Sequence, residues 1–203
     1  NGQELGPNEE GYVVIKLPLP PGTLLDLWKD NERFKAGYLN KFPGYYFSGD
    51  GGFKDNDDYI FITGRVDDVI NVAGHRLSTA EMEEIVAYHH SVAECAVIGI
   101  NDELKGQIPL ALVVAKSGED IEHFQLQHEV VHLVREQIGA VASLRDVVVV
   151  NRLPKTRSGK ILRKMMRSIA DGEQFQIPST IDDEAIIDEI RKVLEHAKIG
   201  CFK

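Results

Sequence analysis

The chain has 203 residues, of which 43% are hydrophobic and 27% charged, a composition typical of a folded globular protein. Its 23 basic and 32 acidic residues give a net charge of −9, which argues against a general nucleic-acid or anionic-membrane binder. No apolar run approaches the roughly 18 residues of a membrane span. Cys95 and Cys201 are the only cysteines, so the sequence predicts no disulfide framework and fits a reducing compartment.

The chain begins at Asn1 without a charged-then-apolar leader, so we expect a piece of a longer protein with any targeting segment outside it. Residues 1–66 are predicted to be rich in strands and turns. Residues 12–17 and 59–63 have the composition of strands, and proline follows the first. Glycines at 51–52 and acids at 55–58 predict two turns. With no long helix predicted there, this stretch forms a poor core by itself.

From residue 67 the pattern alternates between strands and helices, which predicts a compact α+β domain of about 135 residues. Ser78 and Glu81 have the spacing of a capping box and predict a helix start. Strands are predicted at 69–72, 92–100, 110–116 and 146–151, a turn at 74–76, and helices behind Ser78, at 122–138, at 161–170 and around 186–194. The apolar stripes are predicted to contain Met82, Ile85, Val86 and His89 on the first helix and Phe124, Val131, Val134 and Ile138 on the second.

Residues 151–170 carry seven basic residues and no acidic one. They are Arg152, Lys155, Arg157, Lys160, Arg163, Lys164 and Arg167. A solvated helix face is the ordinary explanation for such a run. The stretch from Pro154 to Lys160, however, is typical of a loop that extends one flexible cation toward phosphate oxygens. It is not a Walker A loop, because Pro154 stands at the first glycine position and Ile161 at the Ser/Thr position.

Two shorter motifs place acids beside glycine or arginine. In residues 47–52 we expect Asp50 to lie in a glycine-rich turn, where a carboxylate can accept two ribose hydroxyls or form an Asx turn. Residues 64–68 place Arg65 next to two acids where the composition changes. An ordinary surface turn between strands would explain this second motif equally well.

The sequence His128-Glu129-Val130-Val131-His132 matches the HExxH pattern of zinc metalloproteases. Helical spacing puts both histidines on one face. Arg135, however, stands where the metzincin continuation needs glycine, and no third ligand is evident nearby. Because a catalytic zinc needs a third protein ligand, we expect an ordinary amphipathic helix here.

Three motifs occur in order, at residues 46–50, 64–76 and 153–160. Together they closely resemble the C-terminal part of acyl-CoA synthetases of the adenylate-forming superfamily, over nearly the whole chain. The similarity is closest to acetyl-CoA and propionyl-CoA synthetases, and residues 179–183 together with Ala73 favour the propionyl branch. The resemblance implies an α+β chain in which residues 1–66 end a large N-terminal domain and residues 67–203 form a small, mobile C-terminal domain.

The resemblance also implies a two-step ligation. A short-chain carboxylate attacks the α-phosphate of ATP, giving acyl-AMP and pyrophosphate, and coenzyme A then displaces AMP. Lys160 would be the catalytic residue of the first step, since a point charge on a flexible stem can follow the phosphate oxygens. Asp50, Arg65 and Arg76 would bind the nucleotide, Asp50 through the ribose hydroxyls and Arg76 through phosphate.

Further roles follow from the same resemblance. Asp67 would be the hinge at which the small domain turns between the two steps. Ala73, Gly74 and His75 would line the pantetheine tunnel, and Arg135 would meet a coenzyme A phosphate. A magnesium ion would be bound by carbonyls or a side chain of Ala87, His89 and Val92, although an ordinary helix C-terminus explains these three residues as well.

The large domain of the family supplies a Ser/Thr/Gly-rich phosphate loop that these 203 residues lack, so we expect that this chain alone does not form acyl-AMP. Two alternatives remain open: an adenylation module that delivers its acyl group to a carrier protein, and a non-catalytic interaction domain. The expected partners are ATP or AMP, coenzyme A, a short-chain carboxylate and the large domain, without nucleic acid or membrane. The expected location is the mitochondrial matrix or the cytoplasm.

Overall fold

The structure is a computed structural model that describes residues 2–118 and 121–203. It forms two compact units, a first that ends at Asp67 and a second, Asp68–Lys203. Strands and helices both contribute, and the α+β prediction is confirmed. None of the helices in these residues is long and apolar enough to cross a membrane.

The first unit is built on a three-stranded antiparallel sheet. Its strands are β1 (Gly11–Lys16), β2 (Tyr45–Lys54) and β3 (Ile60–Arg65), in the order β1-β2-β3. A short helix α1 (Asn31–Phe34) runs into a π-helical turn, Lys35–Leu39, before β2. The Asp30 side chain caps α1 by accepting from the backbone N–H of Arg33 at 3.1 Å. No sequence pattern predicts this segment, because it is short and is interrupted by Gly37.

The predicted turn at Gly51 and Gly52 is wrong, and with it the placement of Asp50 in a turn. All three residues lie inside β2, where the pairing with β3 shifts register between the two glycines. A Cβ on Gly52 would stand 2.5 Å from the carbonyl oxygen of Phe61, so the glycine serves a close approach between two strands. The chain turns instead at 55–58, the second predicted turn, where Asp55 oxygen accepts from the Tyr59 N–H at 2.9 Å.

The second unit is a five-stranded sheet with two helices on each face. The strands are β4 (Val69–Val72), β5 (His75–Ser78), β6 (Val92–Asp102), β7 (Gly106–Ala115) and β8 (Asp146–Val149), and the helices are α2 (Thr79–Ala87), α3 (His123–Gln137), α4 (Arg163–Asp171) and α5 (Ile186–Ala197). The antiparallel order is β5-β4-β7-β6, and β8 pairs parallel to β7.

Two hydrophobic clusters cover the two faces of this sheet. Strand alternation separates them, since Ile98 joins the cluster with α4 and α5, while its neighbour Val97 joins the cluster with α2 and α3. Leu110 of β7 is fully buried in the first cluster and Ala111 in the second. A sheet apolar on both faces and covered on both faces is the stable core of this unit.

Local signals predict the helix ends well and one helix face poorly. The Ser78 hydroxyl accepts from the Glu81 N–H at 3.4 Å, and left-handed Gly172 ends α4. The inward placement of Phe124 is wrong, because its side chain is 76% exposed. The buried residues of α3 follow at intervals of four, Leu126, Val130 and Val134, and Phe124 lies on the other side of that stripe. His89, predicted on the helix stripe, is buried but lies beyond the end of α2.

Candidate active site

Residues 154–162 form a short hairpin, the Lys160 hairpin. Its arms pair through the bridge between Lys155 and Ile161 and through the Leu162 N–H, which donates to the Pro154 oxygen at 2.9 Å. The tip closes with Gly159 at φ +84, and its N–H donates to the Thr156 oxygen at 2.8 Å. The basic loop seen in the sequence is therefore an ordered hairpin.

Thr156 holds the backbone of Lys160 on both sides. Its N–H donates to the Lys160 carbonyl at 2.9 Å, and its hydroxyl accepts from the Lys160 N–H at 3.1 Å. Lys160 itself is exposed, and its ammonium group has no hydrogen bond or ion pair among the residues that the structure describes. The main chain of the predicted catalytic lysine is thus fixed while its side chain extends into solvent.

The outer arm of the hairpin is attached to the segment before α5. The Arg157 N–H donates to the Thr180 oxygen at 2.9 Å, and Thr156 forms a β-bridge with Ile181. The Asp182 N–H completes the contact by donating to the Lys155 oxygen at 3.0 Å. Buried Ile181 belongs to the hydrophobic cluster of α4 and α5, so the hairpin rests on the core of the second unit.

The basic segment separates into paired and unpaired cations. Three of its side chains bind carboxylates from other elements: Arg152 binds Glu189 and Asp183, Lys155 binds Glu94, and Arg163 binds Glu83, with shortest N–O distances of 2.6, 2.6 and 2.6 Å respectively. Arg157, Lys160 and Lys164 are exposed and have no carboxylate partner within 2–118 and 121–203. The run of charge thus contains three cations held in ion pairs and three accessible ones, one of which is Lys160.

The pair between Arg163 and Glu83 is the best sheltered of the three. Two hydrogen bonds of 2.8 and 2.6 Å join the guanidinium to the carboxylate, and Glu83 also accepts from the Val97 N–H at 2.8 Å. The hydrogen bonds that Arg163 donates to Glu83 raise the pKa of Arg163, against the opposing effect of burial. Because α4 begins at Arg163, this pair fixes the helix that follows the Lys160 hairpin.

In the first unit, the structure brings Asp50, Arg65 and Asp67 into one cluster, the Asp50 corner. Nη1 of Arg65 donates to the Ser48 oxygen at 3.0 Å and to Asp50 Oδ1 at 3.2 Å, while its Nε donates to Asp67 Oδ1 at 3.2 Å. Burial lowers the pKa of Arg65, but the carboxylates of Asp67 and Asp50 raise it above its ordinary value. A Cβ on Gly49, at φ +83, would stand 2.5 Å from the guanidinium, so the glycine leaves room for Arg65.

The turn between β4 and β5 is the predicted coenzyme A contact. Ala73 and Gly74 form a two-residue hairpin turn with both φ angles positive, +48 and +89, as in type I′ turns. Both residues are exposed, and Ala73 is tied back by its N–H to the Lys105 oxygen at 2.8 Å. The predicted turn at 74–76 is partly wrong, because His75 and Arg76 already belong to β5.

The remaining candidates lie apart in the chain and in different elements of the second unit. Arg76 is exposed on β5, opposite Asn71 of β4. Arg135 is exposed in the last turn of α3. Neither side chain has an ion pair among the described residues, so both guanidinium groups are available to a phosphate.

His89, the one side chain of the predicted magnesium site, is fully engaged in this structure. The Ser91 N–H donates to Nδ1 at 3.2 Å, so Nδ1 carries no proton and Nε2 donates to Glu129 at 2.8 Å. The His89 carbonyl accepts from the Val92 N–H at 3.0 Å. Neither ring nitrogen has a free lone pair here, so the His89 ring does not offer a ligand to a cation in this arrangement.

Glu129 and His132 of the HExxH sequence also have side-chain partners of their own. Glu129 binds His89 and also accepts from Gln125 at 2.8 Å, and these two contacts lower the pKa of Glu129. His132 faces Glu136 at 3.5 Å one turn further along α3. In the part of the chain that the structure describes, no group of three or more His, Cys, Asp or Glu side chains is placed to bind a metal ion.

Comparison with known proteins identifies a domain family for part of the chain. Residues 81–160 match the family described as the AMP-binding enzyme C-terminal domain. This match assigns residues 81–160 to that domain family. The matched range begins in α2 and ends at Lys160, so it contains Glu83, Glu94 and most of the Lys160 hairpin.

The similar proteins named for an activity are synthetases. The chain is 47% identical, over 97% of its length, to acyl-CoA synthetase short-chain family member 3, mitochondrial, from mouse, and 42% identical over 98% to acetyl-coenzyme A synthetase from Pyrobaculum arsenaticum. It is 60% identical over 98% to an uncharacterized protein of Pseudomonas aeruginosa. The chain spans about a third of the length of these relatives. The resemblance to short-chain acyl-CoA synthetases is confirmed.

Solved structures share the fold. ATP-bound MatB from Rhodopseudomonas palustris matches 82% of this chain and 31% of its own with a TM-score of 0.66 at 25% identity. The amide bond synthetase McbA from Marinactinospora thermotolerans matches 82% of this chain and 32% of its own with a TM-score of 0.63 at 29% identity. The small α+β architecture is therefore that of the C-terminal region of adenylate-forming enzymes.

Proposed function

We propose that this chain is the C-terminal portion of an AMP-forming acyl-CoA synthetase that ligates a short-chain carboxylate to coenzyme A with ATP and magnesium. Propionate is the favoured substrate and acetate the next. The observation that carries the proposal is the exposed ammonium of Lys160, which has no ion pair among the described residues, on an anchored hairpin at the end of the match to the AMP-binding enzyme C-terminal domain. In this proposal, residues 1–66 end the large domain and residues 67–203 form the mobile one, with Asp67 as the hinge.

In the first step, a substrate carboxylate oxygen attacks the α-phosphorus of ATP and pyrophosphate leaves. Negative charge is spread over the carboxylate and the phosphoryl oxygens, and the Lys160 ammonium lowers the barrier by lying next to them in a site that the large domain shields from water. Since no carboxylate neutralises Lys160 within the described residues, its full charge is available to the substrate.

The Asp50 corner supplies a ready acceptor for the ribose. Oδ1 of Asp50 is held by Arg65, while Oδ2 of Asp50 accepts no hydrogen bond from the residues that the structure describes. An ionised carboxylate anchored through one oxygen presents the other to a hydroxyl donor without reorganising. Arg65 then acts on the nucleotide mainly by fixing the Asp50 side chain, and Arg76 supplies a cation for phosphate.

In the second step, the coenzyme A thiol attacks the acyl carbonyl, AMP leaves, and the thiol proton passes to solvent. The exposed turn of Ala73 and Gly74 allows pantetheine to approach the backbone, next to His75. Arg135 binds a phosphate of coenzyme A. Magnesium bound to the ATP phosphates would neutralise part of their charge in the first step. A second cation held through the His89 ring, beside Ala87 and Val92, would first have to displace the Ser91 N–H from Nδ1.

Two observations bear on the finer assignments. Relatives named as mitochondrial and an archaeal acetyl-coenzyme A synthetase both match, so the mitochondrial matrix and the cytoplasm both stay in the proposal. Propionate rests on residues 179–183 and on Ala73, neither of which belongs to an acyl pocket.

The rival carrier-protein module predicts product formation without free coenzyme A and no effect of Arg135→Ala. A non-catalytic interaction domain predicts no effect of Lys160→Ala.

The test is Lys160→Ala in the full-length protein that contains this chain. Acyl-dependent ATP–pyrophosphate exchange is expected to fall by about 100-fold or more, since one charge-stabilising donor is removed from the transition state. Thioester formation from supplied acyl-AMP and coenzyme A is expected to change less than about threefold. Lys164→Ala is the matched control, because Lys164 is also exposed and unpaired yet lies on α4. Equal loss in both half-reactions would contradict the proposal, and a panel of acetate, propionate and butyrate tests the substrate.

A further inference from the structure

Lys155 is the second lysine of the hairpin, and it is placed in the opposite way to Lys160. Its Nζ lies 2.6 and 2.7 Å from the two oxygens of Glu94, a close contact to both ends of one carboxylate. Glu94 lies 61 residues away in β6. A cation neutralised in this way is not available to a substrate phosphate, so its function differs from that of Lys160.

The position of Glu94 in the sheet places its carboxylate next to the Lys160 hairpin. β6 is the edge strand of the antiparallel sheet, and its pairing with β7 shifts register between Val92 and Glu94, opposite Ala115 and Val114. Such an irregularity bends an edge strand and redirects the side chain beside it. Glu94 is therefore held by the rigid sheet at the place where the hairpin arm passes.

Fixing the Lys155 side chain fixes the arm that clamps Lys160. The backbone of Lys155 pairs with Ile161, and the next residue, Thr156, bonds both the N–H and the carbonyl of Lys160. The chain of contacts runs from the sheet through Glu94, Lys155 and Thr156 to Lys160, with no long flexible segment in it.

We propose that Glu94 and Lys155 are positioning residues that set the direction in which the sheet presents Lys160. This inference rests on the function proposed above. The side chains of Lys155 and Glu94 are 32% and 44% exposed, so their ion pair adds at most about 1 kcal/mol to stability. A small displacement of a catalytic group can nevertheless cost far more in rate. The effect of breaking the pair is therefore expected in activity and not in folding.

The test compares Glu94→Gln, Lys155→Glu and the exchanged pair Glu94→Lys with Lys155→Glu, all in the full-length protein. Each single variant is expected to lower kcat for acyl-dependent ATP–pyrophosphate exchange by about tenfold, with KM for ATP within about twofold. Thioester formation from supplied acyl-AMP stays within about twofold. The exchanged pair restores kcat at least threefold over Lys155→Glu. Asp188→Asn, which breaks the surface pair to Arg191 on α5, is the matched control and leaves every rate unchanged.

Other results would contradict either this inference or the proposed function on which it rests. Single variants with wild-type exchange, equal loss in both half-reactions, or no recovery in the exchanged pair would show that Glu94 and Lys155 do not position Lys160. Wild-type protein without exchange, or Lys160→Ala with normal exchange, would instead reject the proposed function. Thermal unfolding of every variant separates these results from misfolding, since the ion pair is expected to leave the melting temperature within a few degrees of wild type.

Discussion

The two sheets of this molecule differ in how far their apolar residues are exposed. In β3 of the first unit, Ile60 and Ile62 are 68% and 58% exposed, whereas Ile98 and Leu110 of the second unit are fully buried between helices. The first sheet has no helix of eight or more residues to cover it within residues 2–67, and the second has two on each face. Apolar content alone thus does not make a core, because an amphipathic or apolar sheet also needs a layer to cover it.

Truncation of one buried and one exposed apolar residue is expected to affect stability very differently in the two sheets. Leu110→Ala leaves a cavity among fully buried neighbours and is expected to lower the free energy of unfolding by about 2–5 kcal/mol. Ile62→Ala, an exposed counterpart, is expected to change it by less than about 0.5 kcal/mol. Urea unfolding of the 203-residue chain is followed by circular dichroism at 222 nm for the second unit, where the long helices lie, and by tyrosine absorbance for the first, which holds five of the six tyrosines. Similar losses for both variants would contradict the difference between the sheets.

A charged group within the second core gives the next largest effect. Glu83→Gln removes the charge that pairs with Arg163 and leaves the guanidinium partly sheltered without its partner. The side chains are only 15% and 25% exposed, so we expect a loss of about 2 kcal/mol, between the values for surface and buried pairs. Asp188→Asn on the surface of α5 is the control and is expected to cost less than about 0.5 kcal/mol. The same urea series measures both variants, and an equal cost would mean that burial adds nothing to the Glu83 pair.

In the first unit, the Asp50 corner depends on a glycine that leaves room for Arg65. Gly49→Ala is expected to destabilise that unit by about 1–2 kcal/mol, because φ is positive and the new Cβ meets the Arg65 guanidinium. Displaced Arg65 would also release Asp50, so nucleotide affinity of the full-length protein is expected to fall. Gly37→Ala, with open space and no positive φ, is the control. Isothermal titration with AMP separates the two variants, and unchanged affinity in Gly49→Ala would remove Arg65 from the nucleotide site.

Lowering the pH is expected to separate the contribution that these ion pairs make to stability from that of the apolar core. Hydrogen bonds from Arg152 hold the pKa of Glu189 below its ordinary value. Because the folded pKa lies below the unfolded one, this stabilisation is complete above about pH 4.5 and is lost as pH falls through the folded pKa. Glu189→Gln is therefore expected to flatten the decline in stability between about pH 5 and pH 3. Urea midpoints at intervals across that range measure the slope, and an unaltered slope would show that this pair does not contribute.

The smallest expected effect concerns the two thiols of the second unit. Burial raises the pKa of the Cys95 thiol to about 11, while Cys201 is exposed. Since the thiolate is the reactive form, iodoacetamide at pH 8 is expected to modify Cys201 first and Cys95 at least tenfold more slowly. Peptide mass spectrometry follows both sites in one sample. Equal rates would mean that the sheet edge around Cys95 opens more readily than the buried core implies.

Local signals in the sequence predict elements whose cause is local. Ser78 caps α2, Gly172 ends α4, and the predicted strand at 69–72 is β4 as the structure has it. Predictions failed where the cause lies in another strand or helix. Gly51 and Gly52 lie in a strand because β3 passes close to them, and Phe124 is exposed because the other helices bury the neighbouring stripe through Leu126.

The same division holds for the candidate site. Lys160, Asp50 and Arg65 were recognisable because each belongs to a short motif, and the contact between Asp50 and Arg65 agrees with their expected proximity. The carboxylates Glu83, Glu94 and Glu189 carried no signal, since their cations lie far along the chain. No spacing rule links residues 94 and 155. The net charge of the basic segment therefore overstated its accessible charge, and only a three-dimensional arrangement separates Lys155 from Lys160.

Every strand of the first sheet precedes Arg65 or ends at it, and every strand of the second begins at Val69 or later. No strand is exchanged between the sheets, and one short connection through Val66–Asp68 joins them. Each sheet can therefore close its hydrogen bonds without any contribution from the other. A change in sequence within Val66–Asp68 therefore leaves the described strand pairs of both sheets intact, so evolution or design can alter this connection independently of both folds.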